Sequence, residues 1–174
     1  MRIVAISDTH IPDRASKIPG VIVKFLQQAD LIVHAGDFTS ERTYRELKSY
    51  GKLVAVMGNM DFVDLPEEET FKAGKLKFGV VHGYGVYPRG NVKELERIGE
   101  EMGVDVLITG HTHSPSIHKG RVVIINPGSA TGAWGGGGGK GIPSFAVITI
   151  GETLNVQICE LEETLKVKTY KFEV

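Results

Sequence analysis

The sequence predicts an α/β fold built on a mostly parallel sheet. Short runs of Val, Ile and Leu, such as 31–35 and 104–108, are typical of buried strands. Between such runs apolar residues recur at helical spacing, as Ile22, Phe25 and Leu26 do. Because strands and helices alternate along the chain, we expect the helices to cover the sheet from outside.

The first two thirds of the chain contain five predicted strands and three predicted helices. In chain order the strands are 2–6, 31–35, 53–57, 75–81 and 104–108. The first helix lies within 18–29, the second is capped by Ser40 and ended by Gly51, and the third begins at Asn91 and ends at Gly103. The acidic, proline-containing segment 62–71 is predicted to be a solvated loop.

The last third of the chain has β character. Its predicted strands are 122–125, 144–150, 154–161 and 164–172. We expect them to be mainly antiparallel and to build a second sheet or extend the first, which gives a β-sandwich with helices outside. The five glycines Gly135 to Gly139 are interpreted as a loop rather than a phosphate cradle, because no helix start follows them. Trp134 and Lys140 flank this loop, and either could contact a substrate.

The composition narrows the class of function. The chain has 174 residues, a hydrophobic fraction of 41% and a net charge of −1, so no charge excess indicates a polyanion or an anionic membrane as partner. No apolar run approaches the roughly 18 residues of a membrane span. The single Cys159 suits a reducing compartment as a small buried hydrophobe. We therefore expect one cytoplasmic domain over residues 1–174 with no extended nucleic-acid surface. Whether the chain forms a homo-oligomer or binds a protein partner is left open.

Polar side chains follow each of the five predicted strands of the α/β part. These residues are Asp8, His10, Asp37, Asn59, His82, His111 and His113. Because side chains at i and i+2 leave a strand on the same side, the two imidazoles of the last strand end could face one point. Ligands in α/β sheets bind outside the carboxyl ends of the strands, so we expect all seven side chains at one edge of one sheet. Imidazole and carboxylate are common metal ligands, and the pattern therefore predicts a metal centre.

Some neighbouring polar residues are interpreted differently. His34 lies inside a predicted strand and is expected to be a hydrogen-bonded core residue rather than a ligand. Asp61 would either orient a metal ligand or form a turn. His118 is expected to be exposed to solvent. Arg14 and Arg89 are further anion contacts to consider, although their spacing gives no support.

The ordered set Asp8-x-His10, Gly36-Asp37, Gly58-Asn59, His82-Gly83 and Gly110-His111-Thr112-His113 resembles the motifs of the calcineurin-like metallophosphoesterase superfamily. The turn Asn126-Pro127-Gly128-Ser129 is similar to its small prokaryotic phosphodiesterase branch. The resemblance implies a four-layer α/β/β/α sandwich of two mixed sheets flanked by helices, with two divalent metal ions. By motif, one ion would be held by Asp8, His10 and His113. The other would be held by Asn59, His82 and His111, and Asp37 would bridge both.

A pair of metal ions indicates hydrolysis of a phosphate ester. Two metals roughly 3.5 to 4 Å apart lower the pKa of a shared water from 15.7 toward about 7 and clamp the attacking and departing oxygens. We therefore expect a phosphoric diester hydrolase that uses a metal-bridged hydroxide on a small phosphodiester. Nitrogen and oxygen ligands suit Mn²⁺, Zn²⁺, Fe, Ni²⁺ or Co²⁺, and the resemblance favours Mn²⁺.

Two features favour diesters over alkyl monoesters. Two divalent ions against Asp8 and Asp37 leave a charge near plus two, which a hydroxide and a singly charged diester would neutralise. Many members of the superfamily carry a His directly after the motif Asn, where it can protonate the leaving oxygen. Met60 occupies that position here, so poor leaving groups should be cleaved slowly.

A protein-interaction scaffold is the alternative function. The segment Asn126 to Ala133, followed by Ile142-Pro143-Ser144-Phe145, resembles the small retromer subunit branch of this superfamily, and that resemblance covers nearly the whole chain. The eukaryotic scaffold departs from an intact site at the bridging Asp and the motif Asn, whereas Asp37 and Asn59 keep the ligand type here. A scaffold would have a vestigial or weakly active metal site, so metal content and diesterase activity discriminate the two functions.

Overall fold

The computed structural model describes residues 1–136 and 138–174. Gly137, part of the predicted glycine loop, lies outside the described residues. In these ranges the helices are α1 (Gly20–Gln27), α2 (Glu41–Tyr50) and α3 (Val92–Met102), and the strands form two sheets. None of the described helices is long and apolar enough to cross a membrane.

The first sheet has six strands. In spatial order they are β11 (Leu165–Glu173), β10 (Thr153–Leu161), β9 (Ser144–Ile150), β1 (Arg2–Ile6), β2 (Leu31–His34) and β3 (Leu53–Ala55). The strands β1, β2 and β3 are parallel, and β9, β10 and β11 pair with antiparallel neighbours. The antiparallel C-terminal strands therefore extend the sheet that begins at the N-terminus.

The second sheet has five strands. In spatial order they are β4 (Glu68–Ala73), β5 (Leu76–Val81), β6 (Val106–Ile108), β8 (Val123–Asn126) and β7 (Ser116–Lys119). The strands β5, β6 and β8 are parallel, whereas the edge strands β4 and β7 are antiparallel to their neighbours. Both sheets are therefore mixed.

Alternation along the strands divides the core into three apolar clusters. Ile3 and Ala5 of β1 point into a cluster between the two sheets, together with Ile108 of β6. Val4 and Ile6 point to the other face, against Ile22 and Leu26 of α1 and Leu47 of α2. On the outer face of the second sheet, Leu95 of α3 packs on Leu107 and Ile124. The layers are therefore helix, sheet, sheet and helix, which confirms the four-layer α/β/β/α architecture.

Local sequence explains the limits of the helices. The Ser40 side chain accepts a hydrogen bond from the Thr43 N–H at 3.3 Å at the start of α2, and Asn91 accepts one from the Lys93 N–H at 3.2 Å at the start of α3. Gly103 ends α3 in the left-handed region with φ of 64°. These ends confirm the predicted second and third helices.

The structure corrects three expectations. The five predicted strands do not share one sheet, since β1, β2 and β3 belong to the first and β5 and β6 to the second. The segment 62–71 is not entirely loop, because β4 begins at Glu68 and pairs with β5. The short strand β7 was not predicted; it pairs antiparallel with β8, whose pairing with β6 is the one parallel exception among the mainly antiparallel C-terminal strands of the described residues. Both unpredicted strands are edge strands with mostly exposed side chains, so they lack the apolar pattern of buried ones.

Candidate metal centre

The seven predicted site residues lie in the loops after five parallel strands. Asp8 and His10 follow β1, Asp37 follows β2, Asn59 follows β3, His82 follows β5, and His111 and His113 follow β6. Backbone hydrogen bonds join these loops: Asp8 N–H donates to the Gly36 carbonyl at 3.0 Å, and Gly110 N–H donates to the His82 carbonyl at 3.1 Å. The second of these bonds joins the ends of β5 and β6, while the first joins β1 to β2. The seven side chains meet because the carboxyl ends of strands from both sheets face each other.

The side chains form two groups that could each hold a metal ion. The first group is Asp8, His10 and His113, and the second is Asp37, His82 and His111; within each group the possible ligand atoms lie within 4.8 Å of one another. Asp37 Oδ2 lies 3.2 Å from His82 Nε2 and 3.5 Å from His10 Nε2, so this one oxygen is close to both groups.

Asn59 lies beside the second group. Its Oδ1 is 3.1 Å from His82 Nε2, and its side chain is exposed, unlike the buried members of the two groups. The amide oxygen is therefore placed to join the second group from the solvent side.

Hydrogen bonds from outside the cluster fix which atoms face it. Nδ1 of His82 lies 2.7 Å from the Ala35 carbonyl, and Nδ1 of His113 lies 2.7 Å from the Ala133 carbonyl. A ring that donates from Nδ1 presents an unprotonated Nε2 to the cluster when it is neutral, which is the arrangement of histidine metal ligands. Asp37 Oδ1 accepts from the Met60 N–H at 2.9 Å, which leaves Oδ2 for the cluster.

The Asp8 carboxylate is oriented in the same way. Its Oδ2 accepts from the Ser7 hydroxyl at 2.8 Å and from the His111 N–H at 3.0 Å, which leaves Oδ1 toward His113 Nε2 at 3.4 Å. Sequence reasoning did not identify Ser7 or the two alanine carbonyls. A backbone carbonyl can be supplied by any residue, so no pattern in the sequence could have identified the carbonyls.

The residues present fit a metal ion. In the described part of the chain, the buried side-chain nitrogen and oxygen atoms that lack a hydrogen-bond partner are Asp8 Oδ1 and both ring nitrogens of His10. Such an atom costs about 1–3 kcal/mol unless something satisfies it. All three belong to the first group, and a carboxylate and an imidazole are ligands that divalent transition metals accept.

The backbone is strained at the same place. Five residues of the two groups have φ between 45° and 71°, in the left-handed region that favours glycine: Asp8, His10, Asp37, His111 and His113. Non-glycine residues in this region cluster at ligand sites because the surrounding structure must hold them there. The strain therefore supports the same site as the unpartnered atoms.

Charge and burial shift the pKa values strongly. Burial alone would raise the pKa of Asp8, but the adjacent imidazoles, His82 foremost, hold it well below its usual range. Burial would lower the pKa of His82, but the Asp8 and Asp37 carboxylates raise it to about 9. For His111, burial and the charges of His82 and Arg89 lower the pKa to about 4. Paired carboxylates and imidazoles with such opposed shifts are typical of a functional site.

Two histidines outside the groups behave as predicted. His34 is fully buried, its Nδ1 accepts from the Gly36 N–H at 3.0 Å, and its Nε2 lies 3.1 Å from the Thr9 hydroxyl. Burial lowers the pKa of His34 to about 3, so it is a neutral core residue. His118 lies in β7 and is exposed.

The structure shows which role Asp61 has, orienting a metal ligand or forming a turn, a question that the sequence left open. Its Oδ2 accepts from the Asp37 N–H and the Gly58 N–H, each at 2.8 Å, and its Oδ1 accepts from the Thr39 N–H at 2.9 Å. The carboxylate therefore joins the loop after β2 to the loop after β3. It holds the backbone of Asp37 in place while closing its own turn.

The turn that follows β8 supports the same loops. Ser129 donates from its hydroxyl to the Asp8 carbonyl at 2.7 Å and accepts from the Ala133 N–H at 2.9 Å. Asn126 Nδ2 donates to the Gly110 carbonyl at 3.0 Å. These bonds give the Asn126-Pro127-Gly128-Ser129 turn a structural role beside the metal groups.

A cavity of about 300 Å³ opens over the cluster. Besides Asp37, Asn59, His111 and His113, it is lined by Arg14, Met60, Arg89, Trp134, Gly135 and Gly136. Gly135 lies so close to His113 that an added Cβ would be 2.8 Å from its ring. Lys140 is exposed and is not among the described residues that line this cavity. A larger cavity of about 540 Å³ runs along α3 and reaches the cluster only at His82.

The fold and the cluster together define the class of the chain: an α/β/β/α protein with a candidate metal centre where its two sheets meet. A family model, the calcineurin-like phosphoesterase superfamily domain, matches residues 1–153. The chain belongs to this superfamily, which confirms the resemblance seen in its motifs.

Three relatives illustrate its similarity to known proteins. A probable metallophosphoesterase of Methanocaldococcus jannaschii is 48% identical over 132 residues, which are 75% of this chain and 69% of the relative. Wild-type Vps29 of Entamoeba histolytica, solved in complex with Zn²⁺, is 31% identical with a TM-score of 0.90 over 99% of this chain and 100% of that one. Vps29 of Chaetomium thermophilum, solved with a cyclic peptide, is 26% identical with a TM-score of 0.84 over 99% of this chain and 96% of that one.

Proposed function

We propose that the chain is a metal-dependent phosphodiesterase whose centre takes two divalent cations and hydrolyses small phosphodiesters. The observation that carries the proposal is that Asp8 Oδ1 and the ring nitrogens of His10 are buried without hydrogen-bond partners, and that His10 Nε2 lies 3.8 Å from Asp8 Oδ1 and 3.5 Å from Asp37 Oδ2, where the two groups meet. The superfamily supports hydrolysis of a phosphate ester.

The ligands divide between the two ions by position. Asp8, His10 and His113 would hold the first ion, and Asn59, His82 and His111 would hold the second. Asp37 would bridge both, because its Oδ2 lies 3.5 Å from His10 Nε2 and 3.2 Å from His82 Nε2. The N and O donors suit Mn²⁺, which we propose as the metal, and Zn²⁺ is the first alternative because a Vps29 relative was solved with it.

Groups of the protein orient the proposed metal ligands for hydrolysis of the substrate phosphate ester. When bound, two divalent cations lower the pKa of a shared water and neutralise charge on the phosphate. The Ala35 and Ala133 carbonyls, by accepting from His82 and His113, keep those rings in the tautomer that presents Nε2. Asn59 and His111 border the cavity over the cluster, where the substrate phosphate would enter.

The identity of residue 60 supports diesters with good leaving groups. Met60 contributes its backbone N–H to Asp37 Oδ1 at 2.9 Å, and its side chain has no proton to give to a leaving oxygen. Loss of a general acid costs on the order of 10²–10⁴ for poor leaving groups. Alkyl monoesters should therefore be poor substrates.

The test compares bis(p-nitrophenyl) phosphate with p-nitrophenyl phosphate in the presence of Mn²⁺, Zn²⁺, Ni²⁺ or Co²⁺. We expect the diester to be cleaved faster, with two metal ions bound per chain. Asp37→Asn should lose the bridging charge and most activity and bind less metal, whereas Asp64→Asn, the same change at an exposed position, should resemble the wild type. Equal activity in Asp37→Asn and Asp64→Asn would refute the proposal.

A protein-interaction scaffold is the second candidate. It is favoured by the two Vps29 structures, which match 99% of this chain, one of them with a bound cyclic peptide. The ligand set argues for the enzyme, since Asp37 and Asn59 both lie at the cluster. A metal-loaded chain that does not cleave bis(p-nitrophenyl) phosphate would favour the scaffold. A cytoplasmic location agrees with either function and is supported by the single, buried Cys159.

A further inference from the structure

We propose that Arg14, Arg89 and Trp134 recognise the part of the substrate that lies beyond the scissile phosphate, and that the substrate class is a nucleotide-type phosphodiester. Such a molecule carries a flat ring and at least one further negative charge. The inference rests on the proposed function and names its substrate class.

The three side chains line the cavity over the metal groups. His111 and His113 line it as well. A cavity of about 300 Å³ is at the small end of the range for ligand sites, so it suits a phosphate with part of a sugar. A ring attached to that sugar would lie at the rim.

Neither of the two arginines forms an ion pair with a carboxylate of the described residues. In residues 1–136 and 138–174, the ion pairs of arginines with carboxylates involve Arg45, Arg97 and Arg121. Arg89 lies against the glycine loop, since a Cβ added to Gly136 would be 3.2 Å from its guanidinium carbon. Arg guanidinium groups are the usual partners of phosphate oxygens.

The total charge of the site exceeds what a simple diester can neutralise. Two divalent cations against Asp8 and Asp37 leave a charge near plus two, and Arg14 and Arg89 raise it to near plus four. A hydroxide and a singly charged diester together supply minus two. A singly charged diester would leave a charge near plus two, and a substrate with a second phosphate would neutralise most of it.

Trp134 offers a stacking surface next to this charge. It is 69% exposed, which is unusual for so large an apolar side chain, and it lies at the cavity rather than on a remote surface. Arg14 holds it, because its guanidinium carbon is 4.3 Å from the centre of the indole ring and its Nη1 donates to the Trp134 carbonyl at 3.0 Å. Indole rings stack on nucleobases with little sequence preference.

A structural role of Arg14 is the competing explanation. If Arg14 only positions the loop at Trp134, its loss should slow the two nucleoside substrates by a similar factor and leave the ratio between them unchanged. If it binds a second phosphate, its loss should remove the preference for substrates that carry one. The decisive quantity is therefore a ratio of kcat/KM values for two substrates that differ in one phosphate.

The experiment uses three diesters with the same leaving group, p-nitrophenolate, and the Mn²⁺-loaded protein. They are methyl p-nitrophenyl phosphate, the p-nitrophenyl ester of thymidine 5′-phosphate, and the latter ester with an added 3′-phosphate. We expect kcat/KM to rise about tenfold with the nucleoside and about tenfold again with the 3′-phosphate. Arg14→Gln and Arg89→Gln should abolish the second increase, Trp134→Ala should abolish the first, and Arg45→Gln should keep both.

A binding measurement needs no activity. Trp134 is the single Trp of the sequence, so intrinsic indole fluorescence reports on this position alone. We expect thymidine 3′,5′-bisphosphate to change the fluorescence of the wild type and of Arg45→Gln, and to bind at least tenfold more weakly to Arg14→Gln. Arg14→Lys, which keeps the charge, should recover part of the affinity.

The outcomes separate this inference from the proposed function. If the wild type cleaves the diesters but the 3′-phosphate ratio is the same in Arg14→Gln and Arg45→Gln, the inference is overturned and the phosphodiesterase remains. If no diester is cleaved, the proposed function is overturned, and the fluorescence titration alone decides whether the nucleotide site exists. Equal affinity of Arg14→Gln and the wild type for the bisphosphate would overturn it.

Discussion

Asp61 should strengthen metal binding and stabilise the fold, although its carboxylate is bonded to backbone N–H groups and is not among the proposed ligands. Its carboxylate accepts three backbone hydrogen bonds, from Asp37 and Gly58 at 2.8 Å and from Thr39 at 2.9 Å. A hydrogen bond to a charged group contributes about 1.5–3 kcal/mol in a favourable site. Because Asp61 is only half-buried and water can replace part of the lost bonding, we expect Asp61→Ala to lower the free energy of unfolding by about 2–4 kcal/mol in total.

That loss of stability corresponds to a fall in Tm of roughly 4–16 °C, since 1 kcal/mol shifts the Tm of a domain of this size by about 2–4 °C. Release of the Asp37 backbone should also weaken metal binding about ten- to a hundredfold, as for other residues that orient a ligand. Asp61→Asn keeps one acceptor oxygen and should lose less of both. Thermal unfolding and metal titration calorimetry measure the two effects.

The matched control for Asp61 is Asp64→Ala, three residues further along and exposed. It should change Tm by no more than about 1–2 °C and leave metal affinity unaltered. If Asp61→Ala and Asp64→Ala had the same Tm and the same metal affinity, the role assigned to the three hydrogen bonds would be wrong.

Two further changes probe the centre. In Gly110→Ala the new Cβ would lie 2.1 Å from Ser7 Oγ and 2.8 Å from Asp8 Oδ2, so we expect a loss of about 1–3 kcal/mol in stability and weaker metal binding. The control is Gly85→Ala, whose new Cβ would have nothing within 4 Å. Equal Tm values for the two variants would contradict this prediction. Metal binding at pH 7 should release protons, because the pKa of His82 is raised to about 9 by Asp8 and Asp37 and that ring must become neutral to bind. The affinity for metal should therefore rise as pH increases from 6 toward 9. Calorimetry in buffers of different ionisation enthalpy counts the protons released on metal binding. If no proton were released at pH 7, the raised pKa of His82 would be disproved.

The grouping of the site residues within each sheet could be predicted because it depends on strand direction. Asp8 and Asp37 follow the parallel strands β1 and β2, and His82 and His111 follow β5 and β6, so each pair lies at one edge of its own sheet. Strand direction does not predict that these two edges face each other. The assignment of strands to sheets could not be predicted in this way. An apolar run such as Val106–Ile108 is equally compatible with either sheet, since burial on both faces removes the alternation that distinguishes inner from outer residues.

The edge strands and the hydrogen bonds that support the site could not be predicted from the sequence, for different reasons. The strand β7 is four residues long with exposed Ser116, His118 and Lys119, so its composition is that of a loop. Asp61 was identified as a residue of interest, but only coordinates show that its three partners are backbone N–H groups on two loops. Sequence patterns specify side chains, whereas much of this site is held by backbone atoms.

The strained backbone and the unpartnered atoms have a common explanation. Positive φ at Asp8 and His10 turns the chain sharply directly after β1, which brings a carboxylate and an imidazole to the same point within three residues. The cost of this turn, of order 1–3 kcal/mol for each strained residue, is borne by the packed sheets on both sides. Because the same turn leaves Asp8 Oδ1 and the His10 ring without partners, the fold gives up stability at a place where a bound cation could restore it. A turn that served packing alone would satisfy these atoms, as the core satisfies His34 through Gly36 and Thr9.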